Sequence, residues 1–265
     1  MQKTFSNEFI FQLFSLLLAI LIVHAVYVTV IWPNARADIE HNRAMSRQDP
    51  SFASERSWFI VVKDYEQESE FILGFWALAI MGYKVRGLSR ERRILDQQLV
   101  PLAEGMRILP EDTREYVRQL QALPEPVRGL LVPRALLHAL RRFGATGNVQ
   151  DASSASHTLV LSEAERLEAE LSMIRFLLWA IPSIGFIGTV RGIGDALGVA
   201  NKAVSGDISG VTESLGVAFN STLIALLISI LLMFFVHQLQ LVQERLAFAA
   251  EDYLDDQLIR HLQAN

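Results

Sequence analysis

The chain contains no cysteine, which excludes disulfides, thiolate metal sites and cysteine nucleophiles. It also has no excess of positive charge, because 24 lysines and arginines stand against 29 aspartates and glutamates. Nucleic-acid binding therefore lacks its usual electrostatic signature. The sequence shows no nucleophile elbow, no metal-ligand spacing and no phosphate-binding loop, so we expect no enzyme activity, no metal site and no cofactor.

Apolar residues are what the sequence has in excess. They make up 51% of the 265 residues, and the mean hydropathy is +0.27, which is too apolar for an ordinary soluble domain. The apolar residues are concentrated in four runs. We predict an all-α, polytopic membrane protein with four transmembrane helices and a helical cytoplasmic domain.

The first apolar run, from Phe9 to Trp32, is long enough to cross a bilayer core of about 30 Å. We expect Trp32 and Pro33 to end this helix at the membrane interface. A cleaved signal peptide is the alternative, because residues 35–37 (ARA) resemble a cleavage site. The run is longer than the apolar part of a typical signal peptide, so we expect an uncleaved anchor.

The second run, from Phe71 to Tyr83, is short, and Glu70 or the residues before it would mark its outer end. Five basic residues follow it at once: Lys84, Arg86, Arg90, Arg92 and Arg93. The positive-inside rule makes this flank cytoplasmic, and both termini with it. The predicted segments are 1–32 (first span), 33–69 (periplasmic), 70–84 (second span), 85–174 (cytoplasmic domain), 175–198 (third span), 199–212 (periplasmic loop), 213–238 (fourth span) and 239–265 (cytoplasmic helix).

The cytoplasmic domain carries several helix-boundary signals. Pro110 with the two acids after it is typical of a helix start, and Gly144 is typical of a helix end. Residues 145–157 have the composition of a turn-rich loop. Ser162 and Glu165 then match a capping box, which predicts a helix that runs unbroken into the third span.

The third run has fifteen uncharged residues from Phe176 to Val190, or about 22 Å of helix. The span must therefore include or approach Arg191 and Asp195. Nine apolar residues favour insertion by about 4 kcal/mol, whereas each charge at the bilayer centre would cost about 2.5 to 3.5 kcal/mol. We expect both charges near the outer edge, or facing protein or water. They form either an interfacial ion pair across one helical turn or the mouth of an ion pathway.

Small residues recur on one face of each of the last two spans. The third span has Gly185, Gly188, Gly192 and Ala196, and the fourth has Ser214, Ala218, Thr222, Ala225 and Ser229. Such stripes let helices pack closely in lipid. The three adjacent polar residues Asn220, Ser221 and Thr222 need partners in protein or water.

The helical rise predicts where two hydroxyls lie in the membrane. Thr189 is about 21 Å from Arg175 at the inner edge, and Thr222 is about 13 Å from Glu213 at the outer edge. On an antiparallel hairpin the two threonines then lie at similar heights. Each would add a polar point beside a small-residue stripe, so an oligomer would hold a weakly polar ring.

These residues carry a resemblance to the MotA/TolQ/ExbB proton-channel family. Residues 181–193 (IPSIGFIGTVRGI) and 210–229 (GVTESLGVAFNSTLIALLIS) resemble its last two membrane helices, and the resemblance covers roughly residues 70–240. It implies that Thr189 is the pore-facing threonine and Pro182 the proline at the start of the third span. Glu213 matches the acid at the head of the last span. A gap-free count from Glu213 puts the second threonine's position at Ala218, whereas the local pattern puts it at Thr222.

What the resemblance implies is the A-type subunit of a motor or energy-transducing complex driven by the proton motive force in the bacterial inner membrane. Five copies are expected around two copies of a single-span ExbD/TolR/MotB-like subunit. That partner would supply a protonatable aspartate, because this chain offers no titrating aspartate at mid-depth. Protons are the expected ion and sodium is the alternative. A non-conducting scaffold or signalling protein with the same fold is the alternative function.

The candidate residues fall into three groups, and Arg191 and Asp195 depart from the pattern of the family. The ion pathway comprises Thr189, Thr222, Ser221, Asn220 and Glu213. The mouth of the pathway comprises Arg191 and Asp195. The helix-packing positions are Pro182, Gly185, Gly188, Gly192 and Ala218.

Overall fold

The structure is a computed structural model that describes residues 2–48, 57–100, 106–204 and 206–264. These residues are almost entirely helical, and within the same ranges the only strand-like pairing is a single bridge between Ile108 and Leu262. The helices are α1 (Gln2–Val26), α2 (Trp32–Gln48), α3 (Trp58–Val61), α4 (Tyr65–Leu95), α5 (Thr113–Gln121), α6 (Glu125–Arg128), α7 (Leu131–Thr146), α8 (Val149–Ala169), α9 (Ser172–Gly198), α10 (Ala200–Val204) and α11 (Ser209–Gln257).

Four helical segments are long and apolar enough to cross a membrane. They are Glu8–Gln48, Tyr65–Leu95, Val149–Gly198 and Ser209–His261. The prediction of an all-α chain with four candidate membrane-spanning helices is therefore confirmed. The division of the segments between the two sides of the membrane stays a prediction.

The chain divides into two compact units. The first, which we call the spanning unit, consists of Met1–Gly82 and Met173–Val236. The second, the helical unit, consists of Tyr83–Ser172 and His237–Asn265. The spanning unit holds α1 to α3, the apolar part of α4, α9, α10 and the first part of α11, and it contains all the candidate residues.

The first helix does not end at Trp32 and Pro33, and that prediction is wrong. A π-helical turn at Tyr27–Ile31 joins α1 directly to α2, which continues to Gln48. A proline inside a helix has no N–H to donate, and its ring crowds the carbonyl four residues earlier. The carbonyl four residues before Pro33 lies within the π-helical turn, and the wider turn leaves room for the proline ring. The Trp32 indole is also held in place, since its Nε1–H donates to the carbonyl of Lys63 at 2.9 Å.

The helical unit has a core of large apolar side chains. Leu136, Leu140 and Phe143 of α7 are fully buried, and they pack in one cluster with Ala152 and Val160 of α8. Residues on this face of α7 recur every three to four positions, as expected for an amphipathic helix. Burial of apolar area therefore holds this unit together.

Three boundary predictions in the helical unit are wrong. Gly144 lies inside α7, which ends at Thr146 and is capped by Gly147, where φ is +67°. Gly144 has a packing role, because a Cβ there would lie 2.5 Å from the Thr113 hydroxyl. The turn-rich loop is reduced to two residues, since the Asn148 side chain accepts from the Gln150 N–H at 2.8 Å and opens α8.

The capping box at Ser162 and Glu165 is also wrong, because both residues lie inside α8. The helix that contains them does not run unbroken into the third span. It ends at Ala169, and α9 begins at Ser172 after a two-residue turn. Pro110 and its acids fit better, since α5 begins at Thr113 immediately after Asp112.

Candidate functional site: the hairpin of α9 and α11

The helices α9 and α11 meet along a seam of small residues. A Cβ added to Gly185 would lie 2.5 Å from the Ala225 Cβ, and one added to Gly192 would lie 2.7 Å from the backbone N of Ala218. A Cβ on Gly188 would collide with the Ser221 hydroxyl. The backbones therefore approach as closely as glycine permits, which is how helices associate in lipid.

The structure brings Thr189 and Thr222 together in this seam. Their hydroxyls hydrogen bond to each other, so the two threonines lie at the same height. The Thr189 hydroxyl is also 3.0 Å from the Ala218 carbonyl, and the Thr222 hydroxyl is 3.2 Å from the Gly185 carbonyl. Because a hydroxyl both donates and accepts, this pair can reorganise around an incoming polar group without a change of fold.

Asn220 and Ser221 occupy different positions from Thr222, although all three are adjacent in sequence. The Ser221 side chain is fully buried, accepts from Gln67 Nε2 of α4 at 3.4 Å and donates to the Val217 carbonyl at 3.0 Å. Asn220 is also buried, and it lines a cleft of about 470 Å³. The sequence reasoning missed Gln67, because it assigned residues 33–69 to a segment outside the membrane.

Arg191 has a stronger partner than the predicted one. Its Nη1 lies 4.0 Å from the carboxylate of Asp195, one turn along α9. The carboxylate of Glu66 in α4 instead accepts two bonds, from Nε at 2.7 Å and from Nη2 at 2.8 Å. A two-bonded pair between a guanidinium and a carboxylate is strong and directional. Arg191 therefore joins α9 to α4, and Glu66 is a site residue that the sequence analysis missed.

Glu213 lies away from the two threonines, at the head of α11. Its side chain is 55% exposed and lies 3.5 Å from Arg43 of α2. Both residues line the cleft that Asn220 also lines. Arg43 reaches this position because the first helix continues to Gln48. The sequence analysis ended that helix at Trp32 and therefore did not predict the pair.

Pro182 lies inside α9. Because proline has no N–H, the carbonyl of Leu178 loses its helical donor. The Ser183 hydroxyl donates to the next carbonyl, that of Trp179, at 2.8 Å. The proline therefore removes one helical N–H donor on the side of the threonine pair away from Arg191.

A buried acid in α4 was not expected at all. Glu70, which the sequence suggested as the outer end of the second span, has no exposed surface. The helix begins five residues earlier, at Tyr65. The sequence did contain a signal for a longer helix: the apolar stretch alone was too short to span a membrane, and a run of acids precedes it.

No group of three or more histidine, aspartate or glutamate side chains that could hold a metal ion occurs within the described ranges.

These features define a multi-pass helical membrane protein with a polar hairpin at the centre of its spanning unit. Residues 132–251 match the model of the MotA/TolQ/ExbB proton channel family, which confirms the resemblance seen in the sequence. The matched segment contains nearly all of α7, the third candidate span and the fourth as far as Glu251. The family is one of membrane proton channels and not of enzymes. No curated protein and no solved structure matches the chain.

Proposed function

We propose that the chain is the A-type subunit of a membrane motor or energy-transducing complex driven by the proton motive force. It would form, with a single-span B-type subunit, an ion pathway that drives rotation of one ring against the other. The observation that supports this proposal is the Thr189–Thr222 hydroxyl pair in the glycine-lined hairpin, which lies within the segment that matches a proton-channel family.

The hydroxyl pair suits a partner that carries an aspartate. A lone carboxylate in a low-dielectric interior strongly prefers its protonated form. Five copies of this chain around a dimer of the partner would present a ring of hydroxyl pairs to that aspartate. Each pair can donate to the ionised form and accept from the protonated form, which lowers the cost of cycling between them.

The basic residues after the second span support an inner-membrane orientation with both termini in the cytoplasm. The end of the spanning unit that carries Arg43, Glu66, Arg191 and Glu213 then faces the periplasm. We call it the loop end. Its paired charges lie where the cost of a charge in the bilayer is smallest, and its open cleft leads to Asn220.

The experiment is proton flux into liposomes that contain this chain together with the single-span protein encoded beside its gene. We expect Thr189→Val and Thr222→Val each to abolish flux while the complex still assembles. Thr29→Val is the matched control, because the Thr29 hydroxyl is on the exposed face of the first helix and donates only to the Ala25 carbonyl at 2.7 Å. Normal flux in both hairpin variants would contradict the assignment of the threonines.

A non-conducting scaffold or signalling protein is the second candidate, and the Arg191–Glu66 pair favours it. This pair lies two residues beyond Thr189 and would plug that end of the hairpin, because a guanidinium and a carboxylate joined by two hydrogen bonds fill it with a fixed ion pair. If the protein is a non-conducting scaffold, the assembled wild-type complex should conduct no protons under an applied potential, and the Arg191→Gln complex should conduct them. Proton flux through the wild-type complex would exclude the scaffold function.

A further inference from the structure

Asp64, just before α4, and the first turns of the helix carry four acids, and the structure separates one of them from the rest. Asp64, Glu66 and Glu68 each have a basic side chain within reach: Lys63 at 2.9 Å, Arg191 at 2.7 Å and His24 at 2.7 Å. Glu70 differs, because neither of its carboxyl oxygens has a hydrogen-bond partner among the residues that the structure describes. It is also the most deeply buried of the four, with a relative exposure of 0%.

The contacts of α4 place Glu70 against the hairpin. Toward the loop end, Glu66 lies 3.1 Å from where a Gly188 Cβ would be, and Gln67 donates to Ser221 at 3.4 Å. On the other side, a Cβ on Gly74 would lie 3.1 Å from Ile228. Glu66, Glu70 and Gly74 are spaced four residues apart, so they lie on one face of α4. Glu70 is therefore enclosed between α4 and the hairpin, one turn further in than Glu66.

Among the residues that the structure describes, the groups around Glu70 offer it no positive charge. Tyr27, which the π-helical turn carries, has a relative exposure of 1% and an Oη without a partner among the described residues. Tyr27 is close enough to experience the charges of Glu70, Glu68 and Asp64, and Glu70 experiences that of Glu66. Lys63, Arg191 and His24 are already engaged by the other three acids. An ionised Glu70 would therefore be a buried charge with neither a donor nor a counter-charge, which is strongly disfavoured.

We propose that Glu70 is a proton-binding site of the spanning unit, which holds a proton at neutral pH and exchanges it with the loop end through Glu66. In the exchange the O–H bond on Glu70 breaks and an O–H bond forms on Glu66. The negative charge moves transiently from Glu66 to Glu70 and Arg191 loses its counter-charge for that time, so the cost of an ionised, unpaired Glu70 makes the exchange slow. The role of this exchange in transport rests on the proposed function, whereas proton binding by Glu70 does not.

The test is infrared spectroscopy of the full chain in lipid vesicles, where a protonated carboxylic acid gives a carbonyl band distinct from that of a carboxylate. We expect this band in the wild type at neutral pH, its reversible loss as the pH is raised, and its absence in Glu70→Gln. Glu68→Gln is the matched control, because Glu68 is also buried but is paired with His24. It should keep the band. Glu70→Asp, which keeps the acid, should shift the band and not remove it.

Three outcomes would overturn the proposal. A band that is equal in the wild type and Glu70→Gln would show that Glu70 holds no proton. Loss of the wild-type band on addition of sodium or calcium at fixed pH would show a metal cation site instead. Deuterium exchange of the band at the same rate in Glu66→Gln as in the wild type would remove Glu66 from the route. If the band is present but the complex conducts no protons, only the proposed function fails.

Discussion

The two units of this chain pair their helices with opposite kinds of residue. In the spanning unit the contact between α9 and α11 is made by Gly185, Gly188 and Gly192 against alanine and serine. In the helical unit the contact between α7 and α8 is made by leucine, valine and phenylalanine. In water, burial of large apolar side chains drives helix association. In lipid the surroundings are as apolar as leucine, so close backbone packing replaces that gain.

The same contrast holds for polar side chains. In the helical unit a buried charge can be paired between helices, as Glu163 of α8 is with Arg134 of α7 at 3.2 Å. In the spanning unit the buried polar groups are mostly small and uncharged, and they bond to backbone carbonyls or to one another. Glu68 and Glu70 depart from this rule, and of these two only Glu70 lacks a partner among the described residues. A departure from a local rule is where a functional site is expected.

The largest effect is expected from a cavity in the helical unit. Phe143→Ala should destabilise this unit by about 3 to 5 kcal/mol, because the side chain is fully buried and its space stays empty. All four tryptophans lie in the spanning unit, at Trp32, Trp58, Trp76 and Trp179. The unfolding of the helical unit, followed by circular dichroism, should therefore move to a lower temperature. Tryptophan emission should not change at that lower temperature, because it reports on the spanning unit.

Phe248→Ala is the control for that cavity, because the Phe248 side chain is 67% exposed. Its unfolding temperature should stay close to that of the wild type. If Phe143→Ala behaved in the same way, the helical unit would not depend on large buried side chains, and the contrast between the two units would fail.

The reverse substitution should damage the spanning unit. Gly192→Ala adds a methyl group where the backbone N of Ala218 and the carbonyl oxygen of Ser214 are each 2.7 Å away. Overpacking of this kind costs about 1 to 3 kcal/mol. Gly194→Ala is the matched control on the same helix, since a Cβ there meets nothing within 4 Å. Thermal unfolding in detergent, followed by tryptophan emission, should separate the two variants, and equal stabilities would show that the seam is not closely packed.

The small-residue stripe was predictable from the sequence because it depends on local spacing alone. The same is true of the level at which Thr189 and Thr222 meet, which follows from the helical rise. Both features belong to one hairpin of consecutive spans, so chain connectivity decides which helix faces which. No knowledge of the rest of the fold was needed.

Glu66, Gln67 and Glu70 were not predictable in the same way. Arg191 and Ser221, the partners of Glu66 and Gln67, are more than 100 residues away in sequence, and no local pattern encodes that pairing. The helix boundaries failed for a related reason. Gly144 resembles a helix end, but its missing side chain makes room for Thr113, so tertiary packing decided a feature that local rules assign to backbone conformation.

The smallest predicted effect concerns two glycines that are required for different reasons. Gly192 is needed for its missing Cβ, whereas Gly147 is needed for its φ of +67°, and a Cβ there meets only Pro110 at an ordinary 3.9 Å. Gly147→Ala should therefore destabilise the helical unit by about 1 kcal/mol. Asparagine adopts this left-handed conformation more readily than other residues, so Gly147→Asn should be closer to the wild type in thermal unfolding. At Gly192 the order should reverse, because asparagine is the larger side chain. If asparagine were tolerated equally at both positions, lack of space would not be what keeps glycine in the seam.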